Sequence, residues 1–162
     1  ARLLLADSPG GSERERAARL LATAAADGDA NATFELARLL DTGTVLPRDA
    51  ARARALYGVA AEAGIAPAQK ALGDLLAAGQ GGATDWVGAR RWYAAAAAAG
   101  DPWAAYELAG PTLRGQGGAA DPALARRLLQ QAATGGVVPA MKALADLARD
   151  GIGGEIDLPA AA

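Results

Sequence analysis

The sequence predicts an all-α chain built as an array of repeated helix pairs, and three observations predict it. One period runs through several independent registers. Asp49, Asp85, Asp121 and Asp157 are each 36 residues apart, as are Gly28, Gly64, Gly100 and Gly136, and again Gly43, Gly79, Gly115 and Gly151. A fixed period in the range of about 20–50 residues marks stacked-unit architectures. The segments between these markers are rich in helix formers and bounded by residues that start and stop helices. Asp85 can cap the run that follows it and Gly100 can end it, with only Gly88 weakening the interior. The composition is 52% hydrophobic but 4% aromatic, with Ala dominant. Such small side chains suit closely spaced helices and do not build a thick core.

The elements follow in order. Ala1 to Leu4 reads as Ala37 to Leu40 does, so the chain is expected to begin inside the first helix of a unit and to be a fragment of a longer protein. Ser8 to Ser12 reads as a connecting loop. Glu13 to Asp27 is a second helix with Ala17, Leu20, Leu21, Ala24 and Ala25 on one face, and Gly28 ends it. Asn31 to Thr42 is the first helix of the next unit, with Ala32, Leu36, Ala37, Leu39 and Leu40 on one side. Gly43 stops it, Thr44 to Arg48 loops, and Asp49 caps a helix burying Ala53, Leu56, Tyr57 and Ala60.

The next unit repeats this plan with Ala68, Leu72, Gly73, Leu75 and Leu76, the loop Gly79-Gln80-Gly81-Gly82, and the helix after Asp85. The one after it runs from Pro102 to Gly136, with Gly115-Gln116-Gly117-Gly118 as its loop and Pro122 in a first helical turn, where a missing N–H costs little. Pro111 falls inside its first helix and is expected to kink or end that helix near Glu107 to Gly110. The last unit carries Ala140, Leu144, Ala145 and Leu147, then Gly151-Ile152-Gly153-Gly154, and Asp157 opens a final helix. The array therefore divides into a partial repeat at residues 1–28, full repeats at 29–64, 65–100 and 101–136, and a partial repeat at 137–162. Helices of roughly 12 to 15 residues are too short to stand alone in water, so stability must come from stacking.

The pattern Ala-x-x-x-Leu-(Gly/Ala), a Gly-rich loop, then Asp-x-x-x-Ala-x-x-(Trp/Leu)-(Tyr/Leu)-x-x-Ala-Ala-x-x-Gly resembles the Sel-1-like repeat, a relative of the tetratricopeptide repeat. Ala68 to Gly100 carries it most fully, in Leu72-Gly73, Gly79, Gly81-Gly82, Asp85, Ala89, Trp92-Tyr93 and Ala96-Ala97. Departures are Val45-Leu46 in place of a Gly pair, Leu20, Leu56 and Leu128 in place of Trp, and Pro111 in place of Leu. The resemblance implies a right-handed α-α superhelix, a solenoid whose first helices line the concave face. It also implies adaptor work, holding another protein or peptide, and for bacterial members a place in the cell envelope. From this follow an expected periplasmic or outer-membrane-associated location and a setting in exopolysaccharide secretion.

Composition narrows the chemistry. A net charge of −2 argues against nucleic acid as a partner, which would call for a basic face. With no Cys and no His, thiolate nucleophiles, disulfides, His-dependent triads and imidazole metal sites are excluded. No apolar run approaches the length of about 18 residues that a membrane span needs. The Asp ladder reads as helix capping rather than a metal site. The Gly pairs follow no strand and precede no Gly-Lys-Ser/Thr, so they read as turns rather than phosphate loops. Arg54, Arg90 and Arg126, with Arg19, Arg91 and Arg127 one position on, read as a solvated face, the rival being a basic convex stripe. No catalytic, cofactor or metal residues are assigned, and no enzyme is expected.

Setting the core of a first helix at Leu36 and advancing about 100° per residue leaves an opposite face. On that face lie Phe34 and Arg38, Lys70 and Asp74, Trp103 and Tyr106, and Lys142 and Asp146. Trp92, Tyr93 and Tyr57 read as packing residues, whereas Trp103 and Tyr106 are scarce large aromatics on the inner face. These eight residues are the candidate concave binding surface for a protein or peptide. A polysaccharide stacking on Trp103 and Tyr106 is the second reading.

Overall fold

The structure is a computed structural model that describes residues 11–153. Among these it has eight helices and no strand: α1 (Gly11–Ala26), α2 (Ala30–Thr42), α3 (Ala50–Glu62), α4 (Ala66–Ala78), α5 (Trp86–Ala98), α6 (Pro102–Arg114), α7 (Pro122–Thr134) and α8 (Val138–Arg149). Each packs chiefly on the next in sequence, giving a solenoid of antiparallel pairs. The expectations for Ala1 to Leu4 and for a helix after Asp157 lie outside the described residues.

Local chemistry sets the starts. Asp49, Asp85 and Asp121 accept bonds from the backbone N–H of Arg52, Gly88 and Leu124 at 2.8–2.9 Å. This satisfies donors that the first turn would otherwise leave bare. Two further caps escaped the sequence reading: Asp29 and Asp101 each accept from two N–H groups at the start of α2 and α6. α4 and α8 lack a side-chain cap and carry a proline in the first turn instead. The ends follow the expected glycines. Gly43, Gly79, Gly115 and Gly151 have φ of 65–70°, and Gly28, Gly64, Gly100 and Gly136 have φ of 86–95°.

The core is a ladder of alanines at full burial, among them Ala37, Ala53, Ala60, Ala89, Ala96 and Ala132, with leucines filling between. Small residues at the contact let helix axes approach toward the short end of the usual range of about 8–10 Å. Gly73 carries this furthest, because a Cβ there would lie 2.6 Å from the ring of Tyr93.

Three expectations are corrected. α6 does not end at Glu107 to Gly110 but stays helical through Pro111 to Arg114. Pro111 cannot donate to the Glu107 carbonyl, a local cost of about 3 kcal/mol. Yet Leu108, Ala109, Pro111 and Thr112 are all buried, and α6 is packed on both α5 and α7, so packing holds this turn helical. In α1 the buried face is rotated. Ala18 is 2% exposed while Leu20 is 65% exposed and Ala17 is exposed. Among the described elements α1 packs on α2 alone, so the face turned to α2 is the buried one. In α8, Ala145 is exposed and Leu144 only half-buried, because among the described helices this one has α7 as its neighbour and none on its other side.

A fourth correction concerns the arginines and the glycine pairs, which form one device. Arg54 donates to the Ala83 carbonyl at 3.0 Å, Arg90 to that of Ala119 at 3.2 Å, and Arg126 to that of Ile152 at 2.7 Å. Each reaches from a second helix to the loop of the following unit. The first glycine of the loop pair abuts the start of the preceding unit's second helix. A Cβ at Gly81 would collide with the Ala50 carbonyl, and one at Gly117 with that of Trp86. A Cβ on the second glycine would crowd the guanidinium, at 2.7 Å for Gly82 and 2.9 Å for Gly118. Where the Arg register holds Ala18, the following loop holds Val45-Leu46 in place of the pair, and Leu46 packs on the core. Arg54, Arg90 and Arg126 are therefore clamps between units, while Arg19, Arg91 and Arg127 are exposed, as a solvated face requires.

Candidate functional site

The inner face presents the side chains that the helices do not use to hold one another. A cleft of about 440 Å³ opens there around α6, with walls from α7, α8, α5 and the end of α4. Gly110 leaves room there for the Arg114 guanidinium, which lies within 3.2–3.6 Å of where a Cβ would sit. At the register where α4 carries Asp74 and α8 carries Asp146, Gly110 contributes no side chain. Tyr106, Glu107, Leu113, Leu129 and Leu147 lie along the cleft, with Tyr93 and Trp86 from α5, Arg114 from the last turn of α6, and Asp146 from α8.

The eight candidate residues divide between this cleft and its surroundings. Tyr106 and Asp146 line it. Trp103 stands beside Tyr106, edge to face, with ring centroids 6.2 Å apart at 87°. It is 48% exposed, so it does not serve as cover for the neighbouring unit. Asp74 adjoins the cleft through Tyr93, whose hydroxyl donates to its Oδ1 at 2.9 Å, while Lys70 donates to its Oδ2 at 2.8 Å. Phe34 and Arg38 lie elsewhere. Phe34 is half-buried, with its ring 5.9 Å from that of Tyr57, so it belongs partly to the core. Arg38 pairs with Glu35 on its own helix at 2.7 Å. Lys142 is exposed on α8 and Asp146 pairs with Arg149 at 3.2 Å.

Glu107 was missed. It lies on the same face of α6 as Trp103 and Gly110, four residues after one and three before the other, so helical phase could have found it. Its surroundings are unusual for a carboxylate. Lys70 and Tyr93, the neighbouring donors, both engage Asp74. Among the described residues Glu107 has no side-chain hydrogen bond or ion pair. Partial burial raises its pKa, the negative charge of Asp74 raises it further, and Lys70 offsets part of this. Burial and the same Asp74 raise the Tyr93 hydroxyl, which stays protonated and donating. Burial, with the charge of Asp41, also pushes Tyr57 up to about 12.

Among the described residues no group of three or more acidic, His or Cys side chains is gathered in a way that could hold a metal ion. What the arrangement offers is a shaped apolar cleft with two tyrosines, two carboxylates, Glu107 and Asp146, in its walls, and the Arg114 guanidinium over Gly110. That is the composition of a recognition site, in which a few polar groups orient a ligand over an apolar lining.

The model of the Sel1 repeat matches residues 30–65, 66–101 and 104–137. No curated protein matches the sequence. Among solved structures, c5321, a protective antigen present in uropathogenic Escherichia coli strains and displaying an SLR fold, is similar at 30% identity and a TM-score of 0.82. That match covers 87% of this chain and 30% of the other. A Sel1 repeat protein from Oxalobacter formigenes is similar at 30% identity and a TM-score of 0.81, over 88% of this chain and 57% of its own. The chain thus spans well under two thirds of the length of either.

Proposed function

The chain belongs to the Sel1 repeat family, whose repeats generally serve as protein–protein interaction modules, and from that premise we propose that it is a scaffold gripping a partner segment on its concave face. The cleft around α6 is the anchor point. The observation that carries the reading is the juxtaposition of an open apolar cleft with Tyr106 on its wall and the half-exposed Trp103 beside it. Trp and Tyr are enriched among the residues that carry most of a binding energy, because they cover large area at low cost in rotamer entropy. The setting proposed is a bacterial envelope assembly, periplasmic or outer-membrane associated and serving exopolysaccharide secretion. Its support is the resemblance to envelope members of the family. None of the described helices is long and apolar enough to cross a membrane.

The test is selection of a random peptide library on the chain, followed by titration of the enriched peptides. Trp103→Ala and Tyr106→Ala should each weaken them by about 2 kcal/mol or more, the usual cost of truncating such an anchor. Far-UV circular dichroism should stay unchanged. Peptides that bind both variants as well as wild type would sink the cleft reading. A second reading, polysaccharide binding, is favoured by the accessible Trp103 face. Binding on a glycan array, lost in Trp103→Ala, would replace the first reading with the second.

A further inference from the structure

We infer that the cleft takes a basic side chain of the partner segment, a lysine or arginine whose cationic head meets Glu107 while its methylene stem lies along the apolar lining. This rests on the reading of the cleft as a protein anchor and names the chemistry it selects. The other charged groups at the cleft already have partners within the protein. Asp74 holds Lys70 at 2.8 Å and accepts from Tyr93 at 2.9 Å. Asp146 is tied to Arg149 at 3.2 Å. Arg114 donates to Gln116 at 2.9 Å, and its guanidinium lies back over Gly110, within 3.2–3.6 Å of where a Cβ there would sit. It makes no ion pair with Glu107. Glu107 alone lines the cleft as a carboxylate without a cation.

A carboxylate so placed bears a cost that a ligand can remove. Its ionised form is disfavoured by partial burial and by the neighbouring charge of Asp74. A cation seated against it would meet an unpaired carboxylate in a partly water-excluded site, where charge pairs count for more than at an open surface, whereas Asp74 is already paired with Lys70. The rest of the lining fits the remainder of such a side chain. The part-exposed Tyr106 and Leu113 offer apolar surface, on which the stem of a Lys or Arg lies readily while its head stays polar. The Tyr106 ring adds a negative face that attracts cations. An acidic side chain in the same place would meet Glu107 and Asp74 with like charge, so the site discriminates by repulsion as well as by attraction.

The probe is the same library of random peptides. The enriched sequences should share one Lys or Arg position. Changing that residue to Gln in the peptide should weaken binding by about tenfold or more on wild type and hardly at all on a Glu107→Gln chain, the signature of a direct pair. Glu107→Gln removes an uncompensated charge and keeps the side chain's shape, so the fold is expected to persist. Circular dichroism of Glu107→Gln and of a second variant, Glu107→Lys, verifies this. The Glu107→Lys chain should reject the basic peptides more strongly still. A consensus with no basic position, or a cycle with no coupling between Glu107 and the peptide cation, overturns this inference and leaves the cleft reading standing. Peptides indifferent to Trp103→Ala and Tyr106→Ala, or no enriched peptide at all, overturn both.

Discussion

At Glu107 the folded protein holds a carboxylate where it is harder to ionise than in the unfolded chain, and this has a pH signature. Its pKa is raised on folding, so the neutral form is the better accommodated one. The stability tied to that preference is fully present below the unfolded value of about 4.3 and is lost as pH rises through the raised folded value. Glu107→Gln should therefore melt higher than wild type at neutral pH. The two curves should converge in acid, which a melting series across pH would show; equal melting temperatures throughout would contradict it. A glycine makes the second residue-scale prediction. Gly81 has φ of 71°, and a Cβ there would collide with the Ala50 carbonyl. Gly100 has φ of 95° but open space around its Cβ position. Gly81→Ala adds a backbone collision to the strain of that conformation and should cost more than about 3 kcal/mol. Gly100→Ala carries the strain alone, about 1–2 kcal/mol. Urea denaturation of the two variants checks the order.

The element that repeats is not only the helix pair but the joint between pairs. Arg90 reaches the carbonyls of Ala119 and Gln116 at 3.2 and 3.4 Å, and Gly118 leaves it room. Arg90→Ala would leave these loop carbonyls without their charged donor and should cost about 1.5–3 kcal/mol, the range for a hydrogen bond to a charged group. Arg91, one residue on, is exposed and lies over the Trp92 ring at 4.7 Å. Arg91→Ala should cost about 0.5–1 kcal/mol, as exposed cation–π contacts do. Equal losses for the two variants would contradict the clamp. α6 shows how the joint overrides local preference. A lone helix would break at Pro111, but this one continues because the turn is buried against its neighbours.

On the scale of the whole molecule, contacts run from each helix to the next and little further. Stability is then a sum of unit and neighbour terms rather than the property of one shared core. Among the described helices α1 has one neighbour and α8 one, while α4, α5 and α6 are enclosed on both sides. Native-state amide exchange should show protection greatest in α4 to α6 and falling toward both, because opening a flank breaks one interface and opening the middle breaks two. Uniform protection along the array would mean a single cooperative block instead. The cleft is centred on the enclosed α6, while its α8 wall belongs to the flank, so a partner would meet a surface preorganised chiefly on the α5–α6 side.

The sequence by itself determined the period, the fold class and nearly every turn. Caps and turns are local: an Asp before a helix bonds the first N–H groups whatever lies elsewhere, and a left-handed residue at a helix end favours Gly in any fold. The inner-face phase was legible for the same reason: Tyr106 and Asp146 line the cleft and Trp103 stands beside Tyr106. Only the tertiary structure decided what depends on residues that sequence keeps far apart. Arg54 and Ala83, 29 residues apart, meet because one unit's loop rests on the previous unit's helix. Phe34 turned out to lean on Tyr57, α1 to bury Ala18 rather than Ala17, and α6 to stay helical past its proline. Glu107 became a carboxylate without a cation because Asp74 took both nearby donors. Periodicity fixes which way a side chain leaves its helix; which groups it meets is set by how closely and at what angle the helices stack.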